Sequence, residues 1–234
     1  MKFAFVDYRI SMEERLNLSF LGCKVIPCEP CNNLYPAISG HPDILMHLLE
    51  PNKLILHKGA SKAFEETLLK LHFNVIRSSQ YLQSEYPNDI SLNAVNTQNF
   101  FLHLLKNSDK SLLDQVNHKK LIDVKQGYTK CSTVILPFNA FITSDKSIYS
   151  ALLAENADVL LLPPGDILLP GLDYGFIGGT CGLINNRTLA FYGSLDFYPH
   201  KALILNFLKK YKIDVKYLYN GPLIDRGSIL IADN

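Results

Sequence analysis

The chain has 234 residues, 47% of them hydrophobic, with 23 lysines and arginines against 22 acidic residues. A balance this near zero lacks the concentrated basic face of a nucleic-acid binder, and no apolar run reaches the ~18 residues that a membrane span needs. Five cysteines, an odd number, and an acid as early as Asp7 argue against a disulfide framework and a secretory leader, and lead us to expect reduced thiols in a cytoplasm.

Taken in chain order, one local pattern recurs. Phe3-Ala4-Phe5-Val6 reads as a strand. Ser11-Met12-Glu13-Glu14 reads as a capping box that opens a helix, Gly22 stops that helix, and Lys24-Val25-Ile26 returns as a strand. A second copy has Lys53 to Leu56, a helix from Ser61 to about Leu71, and Asn74-Val75-Ile76. The third has Phe100 to Leu104, a helix after Ser108, and Leu121 to Val124. In the fourth, Ala140-Phe141-Ile142 precedes Ser144-Asp145, a helix to about Glu155, and Asp158 to Leu162. The fifth runs from Leu189-Ala190-Phe191-Tyr192 through a helix opened by Pro199 to Asp214 to Leu218.

A further short strand precedes the pattern each time: Ile44 to Leu48, Ile90 to Leu92, Ser132 to Leu136, Cys181 to Ile184, and Ser228 to Ile231. Turn residues such as Pro137-Phe138-Asn139 and Asn185-Asn186 join it to the next strand. The unit is thus strand, turn, strand, helix, strand, recurring at roughly 40–50 residues. The last copy lacks its outer half and the first lacks its inner strand, so pairing the two termini completes a ring. The expected architecture is a single α/β domain over 1–234, a five-bladed α/β propeller of ββαβ units. Its blades lie at about 38–78, 86–125, 128–163, 174–218, and 223–234 joined to 1–28. An open doubly wound sheet is the rival, and the extra hairpin in every unit argues against it.

In such a ring the inner strands surround a pore, and the residues that open them form one polar knot per blade. These are His41-Pro42-Asp43, Tyr86-Pro87-Asn88-Asp89, Tyr128-Thr129-Lys130-Cys131, Gly178-Gly179-Thr180-Cys181, and Leu223-Ile224-Asp225-Arg226-Gly227. Mixed charge at a pore suits a small guanidinium or zwitterion, because a carboxylate accepts paired hydrogen bonds from a planar cation. Asp43, Asp89, Asn93, Lys130, Asp225 and Arg226 are the candidate ligand contacts. The competing reading is that these charges pair with one another and tie blades together.

Cys181 is the first candidate nucleophile, since Gly178-Gly179 lets backbone approach a ligand and Lys130 or Arg226 across the pore would favour a thiolate. Cys131 is the second, and His41 beside Asp43 is the candidate proton carrier. For either cysteine, simple packing is the commoner role. Gly175-Phe176-Ile177-Gly178-Gly179 leads into a hairpin, so it is not a phosphate loop. Cys28-Glu29-Pro30-Cys31 has metal or redox spacing but precedes a loop and has no second pair. No metal and no cofactor is expected.

This fivefold unit resembles the pentein fold of arginine deiminase, agmatine deiminase, dimethylarginine dimethylaminohydrolase and amidinotransferases. His41-Pro42-Asp43, Tyr86-Pro87-Asn88-Asp89-Ile90, Gln126 to Ser132, Ile142-Thr143-Ser144-Asp145 and Tyr174 to Gly179 are similar to an uncharacterised bacterial branch of that superfamily. The resemblance implies a cysteine-dependent reaction at a guanidino or related carbon–nitrogen bond, with Asp43 and Asp89 where the fold places its binding or catalytic carboxylates. The sequence departs from the pattern in two places. Arg226-Gly227-Ser228 stands where the hydrolase has its cysteine, and the region of Tyr128 and Lys130 stands where it has its histidine. The alternative is therefore a non-catalytic pentein that binds a small ligand or a protein. The expected partner is a small molecule, guanidino or zwitterionic, without nucleic acid or membrane; the sequence leaves oligomeric state open.

Overall fold

The computed structural model describes residues 1–233. Strand β1 (Lys2–Asp7) is followed by helix α1 (Met12–Phe20) and by β2 (Cys23–Cys28), which pairs parallel to β1. The helix starts where the sequence says it should: Ser11 Oγ accepts the Glu14 N–H (3.2 Å) and the Glu14 carboxylate accepts the Ser11 N–H (2.6 Å).

The remaining strands repeat this unit with an antiparallel inner strand in front, and a crossing helix, α3 (Lys62–Lys70) in the first repeat, again joins the last two strands. They are β3 (Met46–Glu50), β4 (Lys53–Leu56) and β5 (Asn74–Arg77); β6 (Val95–Asn96), β7 (Phe100–His103) and β8 (Lys120–Asp123); β9 (Thr133–Leu136), β10 (Ala140–Thr143) and β11 (Asp158–Leu161); β12 (Cys181–Asn185), β13 (Thr188–Phe191) and β14 (Asp214–Tyr217). Within each trio the first two strands are antiparallel and the last two parallel. The final strand, β15 (Leu230–Asp233), pairs antiparallel with β1, Lys2 facing Asp233 and Phe5 facing Leu230. The termini share one sheet.

Among the described residues this gives five three-stranded sheets, and the apolar core falls into five clusters that each fill one gap between neighbours. Phe5, Ile26, Leu54 and Leu56 join the terminal sheet to β3–β5. Ile55 meets Phe101 and Leu112, Phe100 and Leu102 meet Phe141 and Ile148, and Ile142 meets Phe191 and Ile204. Ala190 and Tyr192 return to Ala4 and Val6. Every sheet thus buries one face on each neighbour, the packing of a closed ring rather than of an open stack. The fold is the five-bladed α/β propeller expected from the repeat.

Local expectations need four corrections. Ile44 and Leu45 belong to a single helical turn, α2 (Pro42–Leu45), with Pro42 at its first position, so the inner strand begins only at Met46. Ile90 to Leu92 is not a strand, because its carbonyls are used in turns and caps: Ile90 O accepts from Asn93 N (2.7 Å) and Ser91 O from Asp109 N (3.0 Å). The caps of the third and fourth crossing helices, α4 (Lys110–Val116) and α5 (Lys146–Ala154), are Asp109 and Asp145, whose carboxylates each accept two N–H groups of the helix they open. The fifth crossing helix, α6 (Lys201–Lys210), is preceded by His200, leaving Pro199 outside it.

Candidate active site at the ring axis

The sites of interest sit where the inner strands begin, because there the five blades converge. The short helix α2 carries Asp43, whose neighbours come from three other blades. Cys131 Sγ lies 3.1 Å from both Asp43 carboxylate oxygens. Ser228 Oγ lies 2.6 Å from Asp43 Oδ2 and 2.8 Å from the Gly178 carbonyl, so its one proton is shared between two acceptors. The Lys130 ammonium donates to Ser228 Oγ (2.9 Å), which places a cation one hydroxyl away from the carboxylate.

Asn93 fixes this arrangement. Its amide donates to Cys131 Sγ (3.2 Å) and to the Asp43 carbonyl (3.0 Å), and its oxygen accepts from the N–H groups of Lys130 (2.8 Å) and Cys131 (3.2 Å). A fully buried amide with all of its bonds satisfied holds one rotamer, and so locks blade to blade.

Behind the thiol stand His41 and Asp225. His41 Nδ1 is 3.9 Å from Asp225 Oδ1, and neither ring nitrogen has a hydrogen-bond partner although the residue is 1% exposed. One nitrogen of His41, one oxygen of Asp43 and Cys131 Sγ lie within 4.8 Å of one another, the group of the described residues that is able to hold a metal ion. Asp225 is anchored by the N–H groups of Phe176 (2.8 Å) and Gly227 (2.9 Å). Glycine is required twice here. A Cβ on Gly227, at φ +69°, would overlap His41, and one on Gly179 would overlap the Asp225 carboxylate. The Gly178-Gly179 pair therefore serves close packing of segments.

The axis opens into a cavity of about 240 Å³. Asp43, Lys130, Gly178 and Cys181 are among the residues that line it, and its walls are mostly aliphatic, including Met46, Leu92, Val134 and Ile229. Asp43 thus faces both the cavity and the thiol of Cys131. His47, also on the wall, has its pKa pushed down to about 4 by burial, so it is neutral at pH 7.

The two candidate cysteines differ. Burial first, then Asp43 and Asp225, raise the Cys131 thiol well above its ordinary value, and the Asn93 amide opposes this. Cys181 is pushed up to about 12, mainly by burial, against the pull of Lys130. Its sulfur sits 3.7 Å from the Ile177 carbonyl, and among the described residues no histidine or carboxylate bonds to it. Only Cys131 has a histidine and acids around it.

Asp89 belongs to a second polar group. It accepts a short hydrogen bond from Tyr128 OH, which also meets Tyr35 OH at 2.8 Å, and its other oxygen is buried without a partner. Burial raises its pKa despite the tyrosine bond. Arg226 is not brought to the cavity. Its Nε is buried without a hydrogen-bond partner, near Tyr192 and Tyr219. The sequence reading missed Ser228 as a link between Asp43 and Lys130. It also missed Tyr128 as the partner of Asp89, though a tyrosine in a polar knot was a signal to hand.

Solved structures with this architecture include SxtG, an amidinotransferase from Microseira wollei in the saxitoxin biosynthetic pathway. The TM-score is 0.54 at 10% identity, covering 88% of this chain and 76% of that one. The inosamine-phosphate amidinotransferase of Streptomyces griseus gives 0.55 at 12% identity, covering 88% and 75%. A cysteine-to-serine mutant of the Pseudomonas aeruginosa dimethylarginine dimethylaminohydrolase, complexed with citrulline, gives 0.53 at 10% identity, covering 93% and 91%. These are penteins, and the likeness establishes that fold for this chain. No curated protein matches the sequence. No described helix is long and apolar enough to cross a membrane. A family model does match, over residues 5–230, and the chain belongs to that family, the family of unknown function DUF6873.

Proposed function

We propose that this pentein acts on a small guanidine, amidine or related carbon–nitrogen compound through Cys131, with Asp43 holding the cation and His41 moving protons. The observation that carries the reading is the meeting of Cys131, His41, Asp43 and Asp225 at the axis beside a cavity floored by Asp43. A nucleophilic thiol needs a base near it and a group that orients the base, and here a His41 nitrogen lies within 4.8 Å of the sulfur and Asp225 3.9 Å from His41, distances that a bound ligand would have to close.

At rest the thiol is held protonated by burial and by two carboxylates. A guanidinium seated on Asp43 adds a positive charge beside the sulfur and reverses that balance, so the ligand itself favours the thiolate. The thiol proton passes to His41, and the sulfur electron pair forms a bond to the guanidino carbon. The carbon–nitrogen bond then breaks as the leaving amine takes the proton back. Water or an acceptor amine displaces the sulfur from the amidino group in the second half.

The test is 2-chloroacetamidine, in which the sulfur displaces chloride. One adduct is expected, mapped to Cys131, absent from Cys131→Ser and retained in Cys181→Ser. Labelling of neither cysteine, or of Cys181 alone, overturns the assignment. So does a panel of guanidino compounds that yields no ammonia, no urea and no amidino transfer to an added amine.

A second reading, a ligand-binding pentein without chemistry, is favoured by one observation. Both axial thiols are fully buried and held in the protonated form. Saturable binding of guanidino compounds by calorimetry, with no adduct and no turnover, identifies that case.

A further inference from the structure

We propose that His41, Asp43 and Cys131 form a binding site for a thiophilic divalent cation, with Zn²⁺ the best match. The site stands on its own geometry; only its effect on cysteine chemistry rests on the function proposed above.

The donor set is one nitrogen, one carboxylate oxygen and one sulfur, all buried and within 4.8 Å of one another. That mixture suits Zn²⁺ or Co²⁺, whereas Mg²⁺ and Ca²⁺ take oxygen shells. Metal–ligand bonds of about 2.0–2.3 Å in a tetrahedron place ligand atoms roughly 3.3–3.8 Å apart. Sulfur and carboxylate already stand 3.1 Å apart, so the closing movement falls mainly to the imidazole.

An independent observation points the same way. His41 is 1% exposed, and both of its ring nitrogens lack a hydrogen-bond partner. Buried polar nitrogens are rarely left so, and an ion satisfies one of them directly. A carboxylate stands near the other. Asp225 Oδ1 lies 3.9 Å from His41 Nδ1, and a small shift of the ring would bring it into the carboxylate–histidine arrangement that orients a metal-bound imidazole. On the sulfur side, the Asn93 amide donates to Cys131 Sγ at 3.2 Å, a bond that supports a thiolate ligand.

Charge balance agrees. Asp43 and Asp225 are both buried in this group, and its ammonium, Lys130, is held by Ser228 Oγ one hydroxyl away from Asp43. A dication that converts the Cys131 thiol to a thiolate brings this buried group to neutrality, which isolated buried charges otherwise lack. Binding releases the thiol proton to solvent and involves no electron transfer. With its nucleophile and its base both coordinated, the cysteine chemistry proposed above is blocked while the ion is bound.

The experiment uses the full chain, stripped with chelator and given one equivalent of Co²⁺. The expected result is a thiolate-to-cobalt charge-transfer band with intense tetrahedral visible bands, bleached by Zn²⁺. Cys131→Ser loses the charge-transfer band, His41→Ala binds at least tenfold more weakly, and Cys31→Ser keeps the wild-type spectrum. Absence of the band in the wild-type chain overturns the proposal even if a variant fails to fold, and so does a band that survives Cys131→Ser or vanishes in Cys31→Ser. In a separate arm, Zn²⁺ suppresses chloroacetamidine labelling of Cys131. If metal-free protein is never labelled yet the cobalt band appears and depends on Cys131, the catalytic reading fails and the metal site stands.

Discussion

The floor of the axial cavity and its wall are both built where the inner strands begin, yet they are opposite chemical environments. At the floor stands Asp43, and His41, Cys131 and Ser228 meet around it from behind the lining, so charge is present in quantity. On the wall, Cys181 and His47 face aliphatic neighbours, and both are held neutral by burial. Cys131 and Cys181 each stand at the start of an inner strand. What separates them is which residues the other blades send to meet them. A repeated fold supplies equivalent positions; unequal partners give them unequal chemistry.

The largest effect should come from the floor. Removing the imidazole in His41→Ala is expected to slow haloacetamidine labelling of Cys131 by roughly 100-fold or more, the usual weight of a positioned proton carrier, while Cys181→Ala leaves the labelling rate unchanged. Time courses by intact mass measure both, and equal rates in the two variants would erase the distinction.

Next is the price in stability of disturbing the floor. Asp43→Ala strands the Lys130–Ser228 pair and the Cys131 thiol, and should lower unfolding free energy by about 3 kcal/mol. Asp43→Asn, which keeps the shape, should cost roughly half as much. Urea midpoints decide it, and a stabilised Asp43→Ala would show that the carboxylate is under strain from its acidic neighbour Asp225.

The wall should announce itself in acid. His47 titrates near 4 when folded against 6.5 ordinarily. An unfolded chain therefore takes up a proton below pH 6.5 that the folded one refuses, and stability falls as pH drops through that window. By pH 4 the loss is about 3 kcal/mol from this residue. His57, also near 4, and His103, near 3, act in the same direction. Asp89 and Asp225, whose carboxyls are raised, act in the opposite one, since protonation relieves them. Denaturation of His47→Leu between pH 7 and pH 4 should show a flatter slope than the parent. Smallest of all, Cys181→Ala should cost about 1 kcal/mol, the loss of one small packed atom.

The ring itself was legible in the sequence because its signals are local. Ser11 and Ser61 cap helices where the pattern placed them, and the apolar strands alternate with those helices at a steady spacing. The inner strands were harder to read, since their starts are shaped by contacts across blades. Leu92 looks like strand but sits in a turn that aims Asn93 at Cys131, and nothing local to residues 90–93 announces that. Arg226 was misplaced for a related reason. Gly227 and Ser228 both adopt positive φ, +69° and +70°, which redirects the chain, so that Ser228 rather than Arg226 reaches the axis. Residue types put His41, Asp43 and Cys131 among the candidates, but only the ring decided that these touch and that Arg226 does not.

The link from Ser228 to Asp43 joins positions 185 apart in the chain. Contacts that distant form late, after the entropy of closing so long a loop has been overcome. Until the last inner strand settles against the first, Asp43 has neither Ser228 nor, through it, Lys130. A half-assembled molecule therefore leaves that carboxylate short of two partners, and completing the circle is also what seals it in.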